Sequence, residues 1–250
     1  QVSKTKWEPV SYLFPVVAPE TGKVERINPL PFPDKHQYYN DAFHDNFDSE
    51  NLTPDWSFRR VPQPKTYSLS ANKGHLRLYL KPENFQPRKR YSAMGITQKE
   101  SQFEWEAKMK FTPKKNLEEA GISVYQKDIN YINLSVQKIG KEHHLKLTVK
   151  EKNKNVSAMT DSAKFPNDKI NAYKSIALPN YDGEILLKIS SKNGKYSYFF
   201  STDGGADYTK LAETPDNLLL GMMYTGANVG IFATSNGQKS NGYADFDWVS

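Results

Sequence analysis

Glu104 and Glu106 stand two residues apart in the run Phe103-Glu104-Trp105-Glu106-Ala107-Lys108-Met109-Lys110-Phe111. Apolar residues take the odd positions and charged ones the even, the period-two signature of a half-buried β-strand. On such a strand both carboxylates share a face. Their backbones then lie ~6.6 Å apart, at ~3.3 Å per residue. Two carboxylates at that separation can divide the acid and base roles of glycoside hydrolysis. That chemistry also needs them on opposite sides of a bound sugar, which neighbours on one strand do not guarantee. The plainer expectation is an outer face where the acids balance Lys108 and Lys110.

A second acidic constellation joins the two ends of the strand-rich region. Phe43-His44-Asp45-Asn46-Phe47-Asp48 is matched by Ala244-Asp245-Phe246-Asp247-Trp248-Val249. If these are the first and last strands of a closed sandwich, they are neighbours and their carboxylates converge. Hard oxygen ligands suit Ca²⁺, and Asp45 with Asp245 is the candidate structural calcium pair. Capping and ion pairs with lysines are the other reading. Glu118 and Glu119 are adjacent and expected in a solvated turn. His143 and His144 are adjacent and point to opposite faces, and no His-x-x-x-His spacing or cysteine offers a zinc site. No nucleophile elbow, P-loop or dinucleotide fingerprint is present. Ser201-Thr202-Asp203-Gly204-Gly205 reads as a structural hairpin turn, with glycines supplying positive φ.

The best small-molecule candidate is a polar strand face. Ile122 and Val124, then Ile132, Leu134 and Val136, form the core side of two strands joined by Lys127-Asp128-Ile129-Asn130. Alternation places Ser123, Tyr125, Tyr131, Asn133, Ser135 and Gln137 opposite them. Aromatic faces with amides and hydroxyls are what sugar rings use. Ser123, Tyr125, Tyr131, Asn133 and Gln137 are therefore the candidate carbohydrate contacts. A solvated outer sheet face is the competing reading.

The elements that must position these groups are strands. Leu76, Leu78 and Leu80 alternate with polar residues, as do Leu145, Leu147 and Val149, and Ile185, Leu187 and Ile189. Asn193-Gly194 between two such runs predicts a tight hairpin. Only residues 215–219 could hold a helical turn. The 250 residues are 37% hydrophobic and 13% aromatic, with 15 tyrosines and a mean hydropathy of −0.74. An aromatic core between wide polar faces has that profile, so an all-β, two-sheet antiparallel sandwich over residues 41–250 is expected. Residues 1–40 carry prolines at 9, 15, 19, 29, 31 and 33, yet also Trp7, Phe14 and Val16. They read as an extended, proline-rich strap or interdomain linker that lies on a surface. The net charge of +6 comes from lysines interspersed with acids rather than from a basic stripe, so no nucleic-acid partner is expected. No apolar run is long enough to span a membrane. The start, Gln1-Val2-Ser3-Lys4, reads as that of a mature, truncated or proteolysed chain.

Several blocks together carry a family resemblance. They are Asp45-Asn46-Phe47-Asp48, Trp56-Ser57-Phe58-Arg59-Arg60-Val61-Pro62, Gly74-His75-Leu76-Arg77-Leu78, Glu119 through Gln126, Tyr224 through Gly230, and Ala244 through Trp248. In this order they resemble the C-terminal concanavalin A-like jelly-roll β-sandwich of glycoside hydrolase family 43, the β-xylosidase and α-L-arabinofuranosidase group. The strap resembles the exit from that family's five-bladed propeller. The resemblance implies a non-catalytic accessory sandwich of an extracellular or periplasmic bacterial enzyme. It would pack on a catalytic propeller that acts on a plant polysaccharide or oligosaccharide. The family's catalytic carboxylates belong to the propeller, so none is assigned here. In relatives a sandwich loop helps wall the active-site pocket, often with an aromatic; the resemblance does not assign that loop to particular residues here. After Thr225-Gly226-Ala227, where many relatives would have an aromatic, this chain has Asn228. A free-standing lectin-like module and a sandwich glycosidase using Glu104 and Glu106 are the alternatives.

Overall fold

The computed structural model describes residues 42–85, 89–127, 130–150, 171–215 and 226–250, with the backbone of one short strand pair before them. That pair, β1 (Val16–Val17) and β2 (Val24–Glu25), is antiparallel and lies in a unit of its own, Gln1–Ala42. The rest of the strap and the suspected helical turn, from residue 216 on, lie outside the described residues.

Phe43–Ser250 forms the second unit, and every regular element described in it is a strand. In chain order these are β3 (Tyr67–Ser68), β4 (Leu76–Tyr79), β5 (Ser92–Thr97), β6 (Phe103–Lys110), β7 (Glu119–Lys127), β8 (Asn130–Ile139), β9 (Glu142–Lys150) and β10 (Asn171–Ala177). They are followed by β11 (Glu184–Lys192), β12 (Lys195–Ser201), β13 (Thr209–Pro215), β14 (Asn228–Thr234) and β15 (Tyr243–Val249). One antiparallel sheet has the order β10-β9-β8-β7-β14-β5, and the other β13-β12-β11-β6-β15-β4-β3. This is the expected all-β sandwich. In both sheets a late strand, β14 or β15, is inserted between strands made much earlier.

Alternation decides what lies between the sheets. Leu76, Leu78, Trp105, Ala107, Met109, Ile122, Val124, Ile132, Leu134, Leu147, Ile189, Ile231 and Phe246 are all buried in one core. Their polar neighbours face outward, which leaves the backbone groups of each strand to the ladders. Trp105 reaches across the core, and its indole N–H donates to the Gly230 carbonyl of the facing sheet at 3.0 Å. Trp56 packs edge-on to Trp105, with ring centroids 6.3 Å apart, and against Phe47 at 6.0 Å.

The predicted Asn193-Gly194 turn joins β11 to β12 with φ of 52° and 74°, the two positive values a type I′ hairpin needs. In the Ser201–Gly205 turn, Asp203 Oδ1 accepts from the Gly205 and Asp207 amides. The turn is structural, as its residue types predict.

Candidate functional site

Strand register builds the site on the face of the six-stranded sheet turned away from the core. Gly95, Gly230, Ser123, Asn133 and Thr148 align in one row across five strands. Two residues further along, Thr97, Asn228, Tyr125, Tyr131 and Lys150 form the next row. On the other side lie Phe232, Gly121, Ser135 and Lys146, and beyond them Thr234, Glu119, Gln137 and His144. The five candidate sugar contacts do share one face, and Tyr125 and Tyr131 are direct cross-strand partners.

That face differs from expectation in one respect. It is not open. Tyr131 is 2% exposed and Tyr125 9%. Phe85, from the segment after β4, lies 4.8 Å from the Tyr131 ring, 5.4 Å from Tyr125 and 5.2 Å from Phe232. These four rings make a second, smaller hydrophobic cluster with Tyr91 at its border. Ser123, Asn133 and Gln137 are buried too. The Ser123 hydroxyl donates to Asn133 Oδ1 at 2.7 Å, and Gln137 Nε2 donates to Glu119 Oε2 at 2.8 Å. These polar groups therefore bond to one another and to Glu119, and the tyrosines pack at a tilt on Phe85 where a sugar was expected.

What stays open lies beside this cluster. A cleft of about 200 Å³ is bordered by Ser57, Arg59, Tyr91, Tyr125 and Asn228, with Gly95 and Gly230 in its floor. Ser57 exchanges both backbone hydrogen bonds with Gly95, at 2.9 and 3.0 Å, which brings Arg59 to the mouth. The Arg59 guanidinium sits 5.3 Å from the Tyr125 ring centroid, a cation–π distance. The glycines are required by close approach. A Cβ on Gly230 would stand 2.3 Å from the Met94 carbonyl oxygen, and one on Gly95 2.7 Å from that of Val229. Arg59 and Tyr91 were not among the expected contacts. The adjacent Arg59-Arg60 pair was the one available signal.

Residues 44–250 match the family of β-xylosidase C-terminal concanavalin A-like domains. The chain belongs to that family. Among similar proteins is the non-reducing end α-L-arabinofuranosidase BoGH43B of Bacteroides ovatus, 31% identical over 235 residues, which cover 92% of this chain and 41% of that protein. A xylosidase/arabinosidase of Butyrivibrio fibrisolvens is 25% identical over 258 residues, covering 100% of this chain and 45% of that protein. The chain thus spans less than half the length of these relatives. Among solved structures, the Bacteroides ovatus xyloglucan-locus GH43B has a TM-score of 0.73 at 26% identity, covering 93% of this chain and 43% of that one. The xylan β-1,4-xylosidase of Bacillus halodurans has the same fold, with a TM-score of 0.73 at 19% identity over 88% of this chain and 40% of that one.

In this family 43 sandwich the remaining candidate acids hold structural positions. Glu104 and Glu106 lie on the outer face of the seven-stranded sheet with Lys188 bound to both, at 3.8 and 3.4 Å. Burial raises the Glu106 carboxyl pKa against the pull of Lys188. The two carboxylates flank one ammonium rather than opposing each other across a sugar. Lys108 and Lys110, the expected counter-charges, pair instead with Glu184 and, for Lys108, Asp247.

Glu118 ends the loop before β7 and Glu119 opens that strand, and neither is solvated. Glu118 accepts from the Lys114 and Lys115 amides and from the Ser240 hydroxyl, at 2.7, 3.0 and 2.6 Å. Burial alone would raise its pKa. The Ser240 and backbone hydrogen bonds together outweigh burial and lower it. Glu119 accepts from Ser135, Gln137 and Asn236.

The calcium pair is not gathered either. Asp45 does bridge to β15, but opposite Val249, four residues from Asp245 and roughly 13 Å along the strand. Asp45 Oδ2 accepts from the Trp56 indole at 2.7 Å and Oδ1 from the Phe47 amide at 2.9 Å. Asp245 takes a two-pronged contact from Arg77, both arms 2.7 Å, and a third bond from Asn72. Among the described residues no three His, Cys, Asp or Glu side chains cluster as a metal site would need.

Proposed function

We propose that this sandwich is the non-catalytic partner of a family 43 catalytic propeller in the same protein. It would act outside the cytoplasm on plant glycans of the xylose and arabinose type. The cleft of Arg59, Tyr91, Tyr125 and Asn228 would meet the glycan, while Ser123, Tyr131, Asn133 and Gln137 hold its wall from within. The observation that carries the reading is the family match over residues 44–250, with relatives named as xylosidases and arabinofuranosidases. Support also comes from the acids. Every candidate carboxylate pair in the described sandwich is either committed to buried or half-buried donors or shares one lysine on an outer face.

The test has two arms. The chain alone is expected to leave nitrophenyl xylosides and arabinofuranosides intact. Turnover that vanishes in Glu106→Gln would overturn the non-catalytic role. Titration with xylo- and arabino-oligosaccharides is expected to move amide resonances around Tyr91, Tyr125 and Asn228, with millimolar affinity, about 4 kcal/mol. Silence at tens of millimolar sugar would reduce the domain to a structural support.

A further inference from the structure

A second cleft lies toward the other end of β7. Its volume is about 420 Å³, and Thr112, Ser240, Asn241 and Tyr243 border it together with the buried Glu118. Glu118 immediately precedes β7, whereas Tyr125 of the first cleft stands six residues beyond the start of that strand. The two clefts are therefore about 20 Å apart along β7, at ~3.3 Å per residue.

Tyr243 sets what this cleft can hold. It is the only Phe, Tyr or Trp among the described residues that is exposed, at 44%. Its ring is nevertheless held. The Arg77 guanidinium lies 3.6 Å from the ring centroid, a cation–π contact, and Asp245 grips Arg77 through both arms. Arg77 belongs to β4, on one side of β15, while Lys110 and Thr112 come from β6 and the chain after it, on the other. Tyr243 borders the cleft and Arg77 does not, so the ring stands between the arginine and the open space. A rigid aromatic wall of this kind costs a ligand little ordering when it stacks.

The rest of the lining suits a neutral, hydroxyl-rich ligand. Thr112, Ser240 and Asn241 carry groups that both donate and accept. Charges of both signs border the cleft, Lys110, Lys114 and Lys115 with Glu118 and Asp245. Lys110 also lies 3.5 Å from Glu184, and the Lys115 charge acts on Glu118. A sugar ring has an apolar face edged by hydroxyls that donate and accept. A fixed aromatic with mixed polar neighbours is its complement. We infer that this cleft is a second glycan-binding site, in which a neutral sugar residue stacks on Tyr243 while its hydroxyls meet Thr112, Ser240 and Asn241. The site lies apart from the cleft of Arg59 and Asn228, and it stands whether or not that cleft meets glycan.

The experiment titrates the chain with xylohexaose and with arabinohexaose and follows amide shifts. Two separate groups of shifts are expected, one at Thr112, Asn241 and Tyr243 and one at Tyr91 and Tyr125. Tyr243→Ala should weaken the first group's titration roughly fivefold, the loss of an aromatic stack, and leave the second group unchanged. Tyr243→Phe keeps the ring and should titrate as the wild type does. Asn241→Ala keeps the aromatic wall and should weaken the first group severalfold, the loss of a hydrogen-bonding partner. Thermal melts show whether the variants fold, and Asn241→Ala carries the test if Tyr243→Ala does not. Shifts confined to Tyr91 and Tyr125 overturn the second site and leave the first standing. Shifts confined to the Tyr243 cleft do the reverse. Silence at both overturns both. An undiminished response in folded Tyr243→Ala or Asn241→Ala overturns the inference. So does displacement of the sugar from this cleft by an equal concentration of inorganic phosphate, which would mark an anion site on the lysines.

Discussion

Asp45→Ala tests the account of how the segment Phe43–Asp48 is held beside β15. The Asp45 carboxylate is 8% exposed and accepts two short hydrogen bonds, 2.7 Å from the Trp56 indole and 2.9 Å from the Phe47 amide. Phe47 holds a φ of 56°, a conformation that bulky side chains rarely adopt, so its amide bond also fixes a costly turn. A hydrogen bond to a charged group contributes about 1.5–3 kcal/mol. Water entering beside Asp45 would recover part of that for the amide, which leaves about 3 kcal/mol lost in Asp45→Ala. Asp45→Asn can accept only one of the two bonds well and should lose about half as much. A domain of this size shifts its Tm by roughly 2–4 °C per kcal/mol, so the alanine variant should melt about 6–12 °C lower. Thermal melts with and without excess chelator decide between two causes. If Asp45 acts through Trp56 and Phe47, chelator leaves the wild-type melt unchanged. A loss under ~1 kcal/mol in Asp45→Ala would refute the hydrogen-bond reasoning. A chelator that reproduces the variant's loss would restore the calcium reading, since an ion bound to the native state alone stabilises it.

Other expectations follow from the same packing. Gly230→Ala forces a methyl against the Met94 carbonyl and should cost about 1–3 kcal/mol or more, read by urea denaturation. Trp105→Phe removes the indole bond to the Gly230 carbonyl and should cost about 1–3 kcal/mol, with the midpoint lowered and the denaturant slope unchanged. The Glu118 carboxyl has a folded pKa below its ordinary value of 4.5. Its contribution is therefore complete above that value and is lost as pH falls through the folded pKa. Ser240→Ala raises that folded pKa, so its stability deficit against wild type should be present at pH 7 and shrink as pH drops below 4. A deficit that grows in acid would show the sign to be wrong.

The sheets were legible because alternation is a local signal. The odd residues from Phe103 to Phe111 and the Ile122, Val124, Ile132 and Leu134 pairs fell on the core side as their periodicity requires. The Asn193-Gly194 turn was equally plain. The cover on Tyr125 and Tyr131 was not. Phe85 stands in the sequence Lys81-Pro82-Glu83-Asn84-Phe85, which has no period from which its landing place could be read. Asp45 and Asp245 show a second gap. The Asp45 segment does meet β15, through an isolated bridge to Val249, but register decides which residues face each other, and a four-residue offset separates them. Lys188 between Glu104 and Glu106 shows a third. It arrives from β11, paired with β6 but more than 80 residues away in sequence. The Arg59 rim was visible only as an Arg-Arg pair, whose meaning depends on the Ser57–Gly95 bridge.

The strand order also sets a timetable for synthesis. β4 reaches β6 only through β15, and β5 reaches β7 only through β14. Roughly 130 residues separate β5 from β14, which at ribosomal rates is on the order of 10 s. For that interval Leu76, Leu78 and Met94 have no completed sheet to join, while β7 to β9 can already pair among themselves, and β6 with β11. The nascent sandwich is therefore two unfinished halves until its final two strands emerge. Loss of β15 would cut β3 and β4 off from β6 rather than merely shorten an edge. A chaperone that shields the early strands would act on β3 to β5 above all.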